Sequence, residues 1–268
     1  MPREDSGGSR EGPGVTEAAS LSPLGRRGFL RALTLPAVLW ARRAAAFGET
    51  SKLVFAVLRH GGIWQPREHA LRKLAWELMD RTSLEVLPQP VVLAASDVEL
   101  FYHPFAYFAG EGEFPPLSEA EVRALRRYLQ YGGFLLCDSA DGGERFDGSL
   151  RRDLARILPD SPFARVAAEH VLYKSFYLID HQGGRQIVKP YLEAITVGRR
   201  LAVVYSRNDL GGAWARDDRG EWEYDVVPGG ERQREQAFRL GVNLAMYATC
   251  LDYKDDQVHL PFILKRRR

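Results

Sequence analysis

Three short runs in this chain carry almost no polar atoms: Leu53-Val54-Phe55-Ala56-Val57-Leu58, Phe105-Ala106-Tyr107-Phe108-Ala109 and Phe134-Leu135-Leu136-Cys137. A strand with one wet face alternates apolar and polar residues, so runs of this kind predict strands covered on both faces. The segments between them supply the covering helices. Leu71, Leu74, Ala75, Leu78 and Met79 recur at helical spacing, with Arg72, Lys73 and Glu77 between them. Ser118 with Glu121 three residues later forms a capping box, and Val122, Leu125, Tyr128 and Leu129 give the apolar face of the helix it opens. Gly132-Gly133 stops that helix. Ser149 is expected to cap another, with Leu150, Leu154, Ile157 and Leu158 inward and Pro159 as its stop. With a further short strand at residues 90–94, the order is strand, helix, strand, strand, helix, strand, helix. Such an order calls for a three-layer α/β fold with a mostly parallel sheet and right-handed crossovers.

The second half is less regular. Residues 191–197 and 200–205 are β-rich and split by Gly198-Arg199, which reads as a hairpin. Residues 211–230, rich in glycine and charge, read as a long loop or lid, and residues 234–249 as a final helix with a buried second half. No linker divides residues 51–255, so one domain is expected there. The tail, residues 256–268, ends in Lys265-Arg266-Arg267-Arg268 and reads as an edge strand with a solvated basic end. A partner-docking segment or a contact with anionic lipid is the alternative.

Charge excludes one class of partner. Of 37 Lys and Arg against 35 Asp and Glu, the first 46 residues hold 7 and 4, so the remainder is close to neutral. A nucleic-acid groove needs a sustained basic excess. The two cysteines, Cys137 and Cys250, exclude a disulfide-stapled small fold and a cysteine-only zinc site.

The leader is an address. A polar stretch precedes Gly25-Arg26-Arg27-Gly28-Phe29-Leu30-Arg31, then a ten-residue apolar stretch at positions 32–41, then Arg42-Arg43-Ala44-Ala45-Ala46 with an A-x-A cleavage site. Ten residues are half of the roughly 20 needed to span a bilayer as a helix. Residues 1–46 resemble a twin-arginine (Tat) signal peptide, with Arg26 and Arg27 as its arginine pair and Gly25 where Ser or Thr is usual. This resemblance implies the Tat translocation machinery as a partner, folding before export, and a soluble periplasmic or otherwise extracytoplasmic mature protein without a transmembrane span.

The strand-helix-strand segment from Phe105 through Leu117-Ser118-Glu119 to Tyr131-Gly132-Gly133-Phe134-Leu135-Leu136-Cys137-Asp138 resembles the central unit of the flavodoxin-like, class I glutamine-amidotransferase-like fold. A closer resemblance rests on the run from Leu58-Arg59-His60-Gly61-Gly62-Ile63-Trp64, on Asp97 through Pro104, on Ala140-Asp141-Gly142-Gly143 and on His170. It continues through Tyr205-Ser206-Arg207-Asn208-Asp209-Leu210-Gly211-Gly212-Ala213-Trp214 and the tail. By these the chain is similar to the domain of unknown function 4159 family. The resemblance implies a fold found in bacterial envelope proteins, with a possible envelope protein as partner, and brings no established reaction or cofactor.

An amidotransferase nucleophile would be a cysteine on a glycine-flanked turn. Cys137 stands at a strand end, but between Leu136 and Asp138, and reads as a packing residue. The polar residues that follow the predicted strands are more informative, because open α/β sheets bind ligands at the carboxyl ends of their strands. These are Arg59, His60 and Trp64; Asp138 and Asp141; and Asn208 and Asp209. With His170 they make a candidate ligand pocket. Arg59 or Arg207 would compensate the carboxylates, and a divalent cation is the alternative. No residue is assigned a catalytic role. The expectation is a non-catalytic ligand- or partner-binding module, and an exported hydrolase or metal-dependent enzyme using these carboxylates and His170 is the competing reading.

Overall fold

The computed structural model describes residues 52–249. The leader with Arg26 and Arg27, Cys250, and the tail lie outside the described residues. Among the described residues seven strands form one sheet: β1 (Ala56–Arg59), β2 (Val91–Ala94), β3 (Phe105–Gly110), β4 (Phe134–Ser139), β5 (Ala164–Arg165), β6 (Glu193–Val197) and β7 (Arg200–Ser206). Their order is β2-β1-β3-β4-β7-β6-β5, parallel from β2 to β7 and antiparallel through β6 and β5. Among the described residues five α-helices accompany it: α1 (Ala70–Arg81), α2 (Glu119–Gln130), α3 (Glu144–Ile157), α4 (Leu210–Trp214) and α5 (Gly230–Thr249). None of the described helices is long and apolar enough to cross a membrane.

Successive strand residues feed opposite layers, which is why the runs are apolar throughout. Phe55, Val57, Phe105, Tyr107, Phe134 and Leu136 pack with Leu74 and Leu78 of α1, Trp214 of α4 and Leu240 and Leu244 of α5. Their neighbours Ala56, Leu58, Ala106, Phe108, Leu135 and Cys137 pack with Leu125 and Leu129 of α2 and Leu150 and Leu154 of α3. Helix α2 begins at the expected capping box, in which Glu121 N–H donates to Ser118 Oγ at 3.3 Å and Ser118 N–H to Glu121 Oε2 at 2.8 Å. The hairpin is also present, with Gly198 at φ 63° between β6 and β7.

Several boundaries differ from the sequence reading, including the final helix, which starts at Gly230 rather than at residue 234. Helix α3 starts at Glu144 rather than after Ser149, because Asp141 accepts the Gly143 N–H at 2.8 Å and Phe146 completes the apolar face one turn earlier. Ser149 sits inside the helix, where its hydroxyl accepts from Phe114 N–H at 3.3 Å. The first strand begins at Ala56, and Leu53 makes only an isolated parallel bridge to Val86. The expected loop after residue 210 contains α4, whose Trp214 is fully buried.

Candidate functional site

The parallel strands end at one edge, and two carboxylates meet there. Asp138 is the penultimate residue of β4, and Asp209 lies three residues beyond β7; their side chains are 1% and 0% exposed as residues. Both serve the start of α4. Asp138 accepts from Leu210 N–H at 3.0 Å and Gly211 N–H at 2.8 Å, and Asp209 accepts from Gly212 N–H at 2.8 Å. The peptide groups that begin a helix have no partners within it, so acidic side chains are stabilising there. Asp209 is in the left-handed conformation, φ 55°, the one non-glycine residue with positive φ among those described. The two glycines that follow are required by space. A Cβ on Gly211 would lie 2.6 Å from the Tyr107 hydroxyl, and one on Gly212 would lie 2.3 Å from Asp209 Oδ2.

Two arginines and a tyrosine complete the cluster. Arg67, just ahead of α1, donates through Nε to both Asp209 oxygens at 3.1 and 3.2 Å and through Nη2 at 2.9 Å. Its guanidinium also lies 4.2 Å from the Tyr224 ring centroid and donates to the Ala140 carbonyl at 3.2 Å. Arg185, from the irregular segment after α3, donates through Nε to Asp209 Oδ2. On the far side, the Tyr107 hydroxyl donates to Asp138 Oδ2 at 2.8 Å. Burial, reinforced by the nearby charge of Asp209, pushes the Asp138 carboxyl up to about 7 despite its three donors. Burial opposes the Arg67 cation, but Asp209 outweighs it and holds the guanidinium above its ordinary range.

The structure brings together only part of the group read from the sequence. Asn208 adjoins the cluster and pins the segment that covers it: its Oδ1 accepts from Val188 and Lys189 N–H, each at 2.8 Å, and its Nδ2 donates to Lys189 O at 2.8 Å. His60 is buried with both ring nitrogens engaged, one 2.9 Å from Ala109 O and the other accepting from Gly62 N–H at 3.1 Å. Its ring stacks on Phe108, and burial lowers its pKa against the pull of the Ala109 carbonyl. Arg59 is exposed and does not compensate the carboxylates. Trp64 lines a cleft of about 10 Å³ with Tyr107, Ala109 and Arg67, room for roughly one water molecule.

Two of the expected ligands stand apart. Asp141 is exposed and caps the β4–α3 turn, accepting from Ser139 Oγ at 3.0 Å as well as from Gly143. What burial it has would raise its pKa, but the donors prevail and hold it below the ordinary carboxylate range. His170 does not join Asp209. Its Nδ1 accepts from Leu172 N–H at 3.1 Å, and its ring lies 5.8 Å from that of Tyr247, whose hydroxyl accepts from Leu201 N–H at the start of β7. Asp209 follows the other end of that seven-residue strand, a rise of roughly 20 Å. Arg207 donates to Gly142 O at 2.6 Å and to Glu144 at 2.7 Å, so the expected counter-ion is replaced by Arg67 and Arg185.

Among the described residues, no group of three or more His, Cys, Asp or Glu side chains is placed to hold a metal ion. Cys137 is fully buried, and burial together with the Asp138 charge pushes its thiol well above the usual range. Sequence reasoning missed Tyr107, Arg67 and Arg185. A tyrosine in a strand covered on both faces carries a hydroxyl that needs a partner, and that was a usable signal for Tyr107. Arg185 sits in a segment without periodicity and had none.

A family model for a domain of unknown function (DUF4159) matches residues 54–249, which contain every side chain of this cluster. The chain belongs to this family. No curated protein matches it in sequence. In this DUF4159 chain the Asn208-Asp209-Leu210-Gly211-Gly212 block forms the cap of α4, so its two glycines and its left-handed aspartate have a direct structural reason.

Proposed function

We propose that this protein is an exported envelope module that binds a ligand or partner protein without catalysing a reaction, on a flavodoxin-like, class I glutamine-amidotransferase-like scaffold. The scaffold assignment is supported by the parallel order β2-β1-β3-β4-β7, with α1 packed on one face and α2 and α3 on the other. The observation that carries the non-catalytic reading is that the strand-end side chains are committed to internal bonds. Asp209 is held by Arg67, Arg185 and Gly212, Asp138 by Tyr107 and two backbone N–H groups, and His60 uses both nitrogens. A nucleophile or general base needs an accessible lone pair.

Export by the twin-arginine route is part of this proposal and rests on Arg26-Arg27 ahead of a short apolar stretch. Replacing both with Lys retains the charge and loses the planar fork, so export is expected to stop. Normal export of that variant would remove the assignment. The binding role is tested by crosslinking the exported protein in its native envelope, where one stoichiometric partner is expected. A second reading, an exported hydrolase, is favoured by a single feature, the Asp138 carboxyl raised to about 7. Turnover of ester, amide or phosphate substrates that disappears in Asp138→Asn would replace the first reading with the second.

A further inference from the structure

Away from the strand-end cluster, a cleft of about 170 Å³ opens between α1, α5 and the segment that follows α4. Trp222 and Phe238 form an aromatic wall, with ring centroids 6.0 Å apart. Most of the charge around it is matched internally. Lys73 pairs with Glu77, Arg81 donates to Glu77 at 2.6 Å and to Glu235 at 2.9 Å, and Arg234 donates to Glu231 at 3.0 Å.

Arg216 differs from these. Its Nε donates to the Gly220 carbonyl, its guanidinium stacks 5.0 Å from the Trp222 ring centroid, and it pairs with no carboxylate among the described residues. The cleft is thus lined by four cations and three carboxylates. It keeps one unneutralised guanidinium, held in place by stacking and by a backbone bond, beside two aromatic rings that also carry Arg234, 4.1 Å from the Trp222 centroid, and Lys73 and Arg81, 5.9 and 5.8 Å from that of Phe238.

We propose that this cleft binds a small organic monocarboxylate with a flat apolar body, its carboxylate on Arg216 and its body against the aromatic wall. A guanidinium already fixed in orientation loses little freedom on pairing and matches the two oxygens of a carboxylate. The ligand carries a single negative charge, because Glu77, Glu231 and Glu235 in the same walls repel a second. The volume suits an acid of one ring. None of the residues of the strand-end cluster lines this cleft, so the inference stands independently of the function proposed above.

The test is calorimetric titration of the full chain with benzoate, with intrinsic tryptophan fluorescence recorded alongside. Saturable binding at one site is expected, weakened tenfold or more by Arg216→Gln and unaffected by Arg232→Gln on the exposed side of α5. Benzyl alcohol, the neutral counterpart, and inorganic phosphate, the more highly charged one, are expected to bind at least tenfold more weakly than benzoate. Failure of benzoate to saturate, equal affinity for either counterpart, or unchanged affinity in a folded Arg216→Gln protein overturns the proposal. The three-probe comparison uses the unaltered chain and decides the matter even where Arg216→Gln does not fold.

Discussion

Arg67 Nη2 lies 2.9 Å from Asp209 Oδ2 across 142 positions of sequence, and this pair locks the approach to α1 onto the turn that follows β7. Asp209 is fully buried and Arg67 nearly so, which makes the pair costly to break from one side. Asp209→Asn retains the side chain's size and its tolerance of the left-handed backbone but leaves two arginines without their charge partner. A loss of about 3 kcal/mol in urea unfolding is expected. Asp209→Ala adds backbone strain at φ 55° and is expected to be worse than Asn. Near-wild-type stability of Asp209→Asn would show that the residue is free to serve a ligand, as its sequence context alone had implied.

Asp138 gives the protein an unusual pH dependence. Its carboxyl is raised from an ordinary 3.8 to about 7, so between those values the folded protein holds a proton that the unfolded chain has released. The stability contributed by this group is therefore full near pH 4 and is lost as pH rises towards 7, with a slope of at most about 1.4 kcal/mol per pH unit. Unfolding free energies measured across this window are expected to fall with rising pH in the native sequence, and the slope from this group is expected to vanish in Asp138→Asn. A rising slope that is the same in both proteins would contradict the assignment. Asp141 and Glu235, held below the ordinary carboxylate range, act at more acid pH and with the opposite sign.

The sheet and its two covering layers were legible because burial on both faces writes itself directly into strand composition. Phe134-Leu135-Leu136-Cys137 can only be a covered strand, and Ser118 with Glu121 can scarcely be anything but a helix start. The strand-end cluster was half legible. Asp138 and Asp209 follow strands of one parallel sheet, and topology alone takes them to one edge. Their partners were not legible, because Arg67 and Arg185 arrive from segments whose positions depend on long-range packing rather than on local pattern. His170 was misassigned for the same reason, since nothing local shows at which end of the sheet an irregular segment turns. Helix α4 was hidden by Gly211 and Gly212, which ordinarily argue against helix but here leave room for Tyr107 and Asp209.

Cys137 is a core residue, and its chemistry should reflect that. In a Cys250→Ser background, native protein is expected to resist a thiol reagent such as dithionitrobenzoate and to react only on unfolding. Cys137→Ala should lower stability by about 1 kcal/mol, the scale of a small buried side chain and the cavity it leaves. Rapid labelling of the folded protein would place Cys137 among the accessible nucleophiles and reopen the amidotransferase comparison.

Asn208 fastens the segment that covers the strand ends. Its amide makes three hydrogen bonds to the backbone of Val188 and Lys189, and Arg185 in the same segment reaches Asp209. Asn208→Ala leaves the Val188 and Lys189 N–H groups and the Lys189 carbonyl without their partner, at a site where Val188 is exposed and Lys189 half-buried, and a loss of about 2 kcal/mol is expected. Asn208→Asp retains the two acceptor roles but sets a carboxylate oxygen against the Lys189 carbonyl and buries a second negative charge beside Asp209, so it is expected to be at least as destabilising as Ala. Hydrogen exchange separates local from global effects. Peptides covering residues 187–190 should lose protection in Asn208→Ala well before those of β3 and β4, because the sheet has its own parallel ladder while Val188 and Lys189 lose their acceptor, although Arg185 and Gln186 N–H still donate to the Asp209 and Asn208 carbonyls. Equal loss of protection in both regions would mean that the segment and the sheet open as one unit, and that the strand-end cluster cannot be uncovered without unfolding the domain.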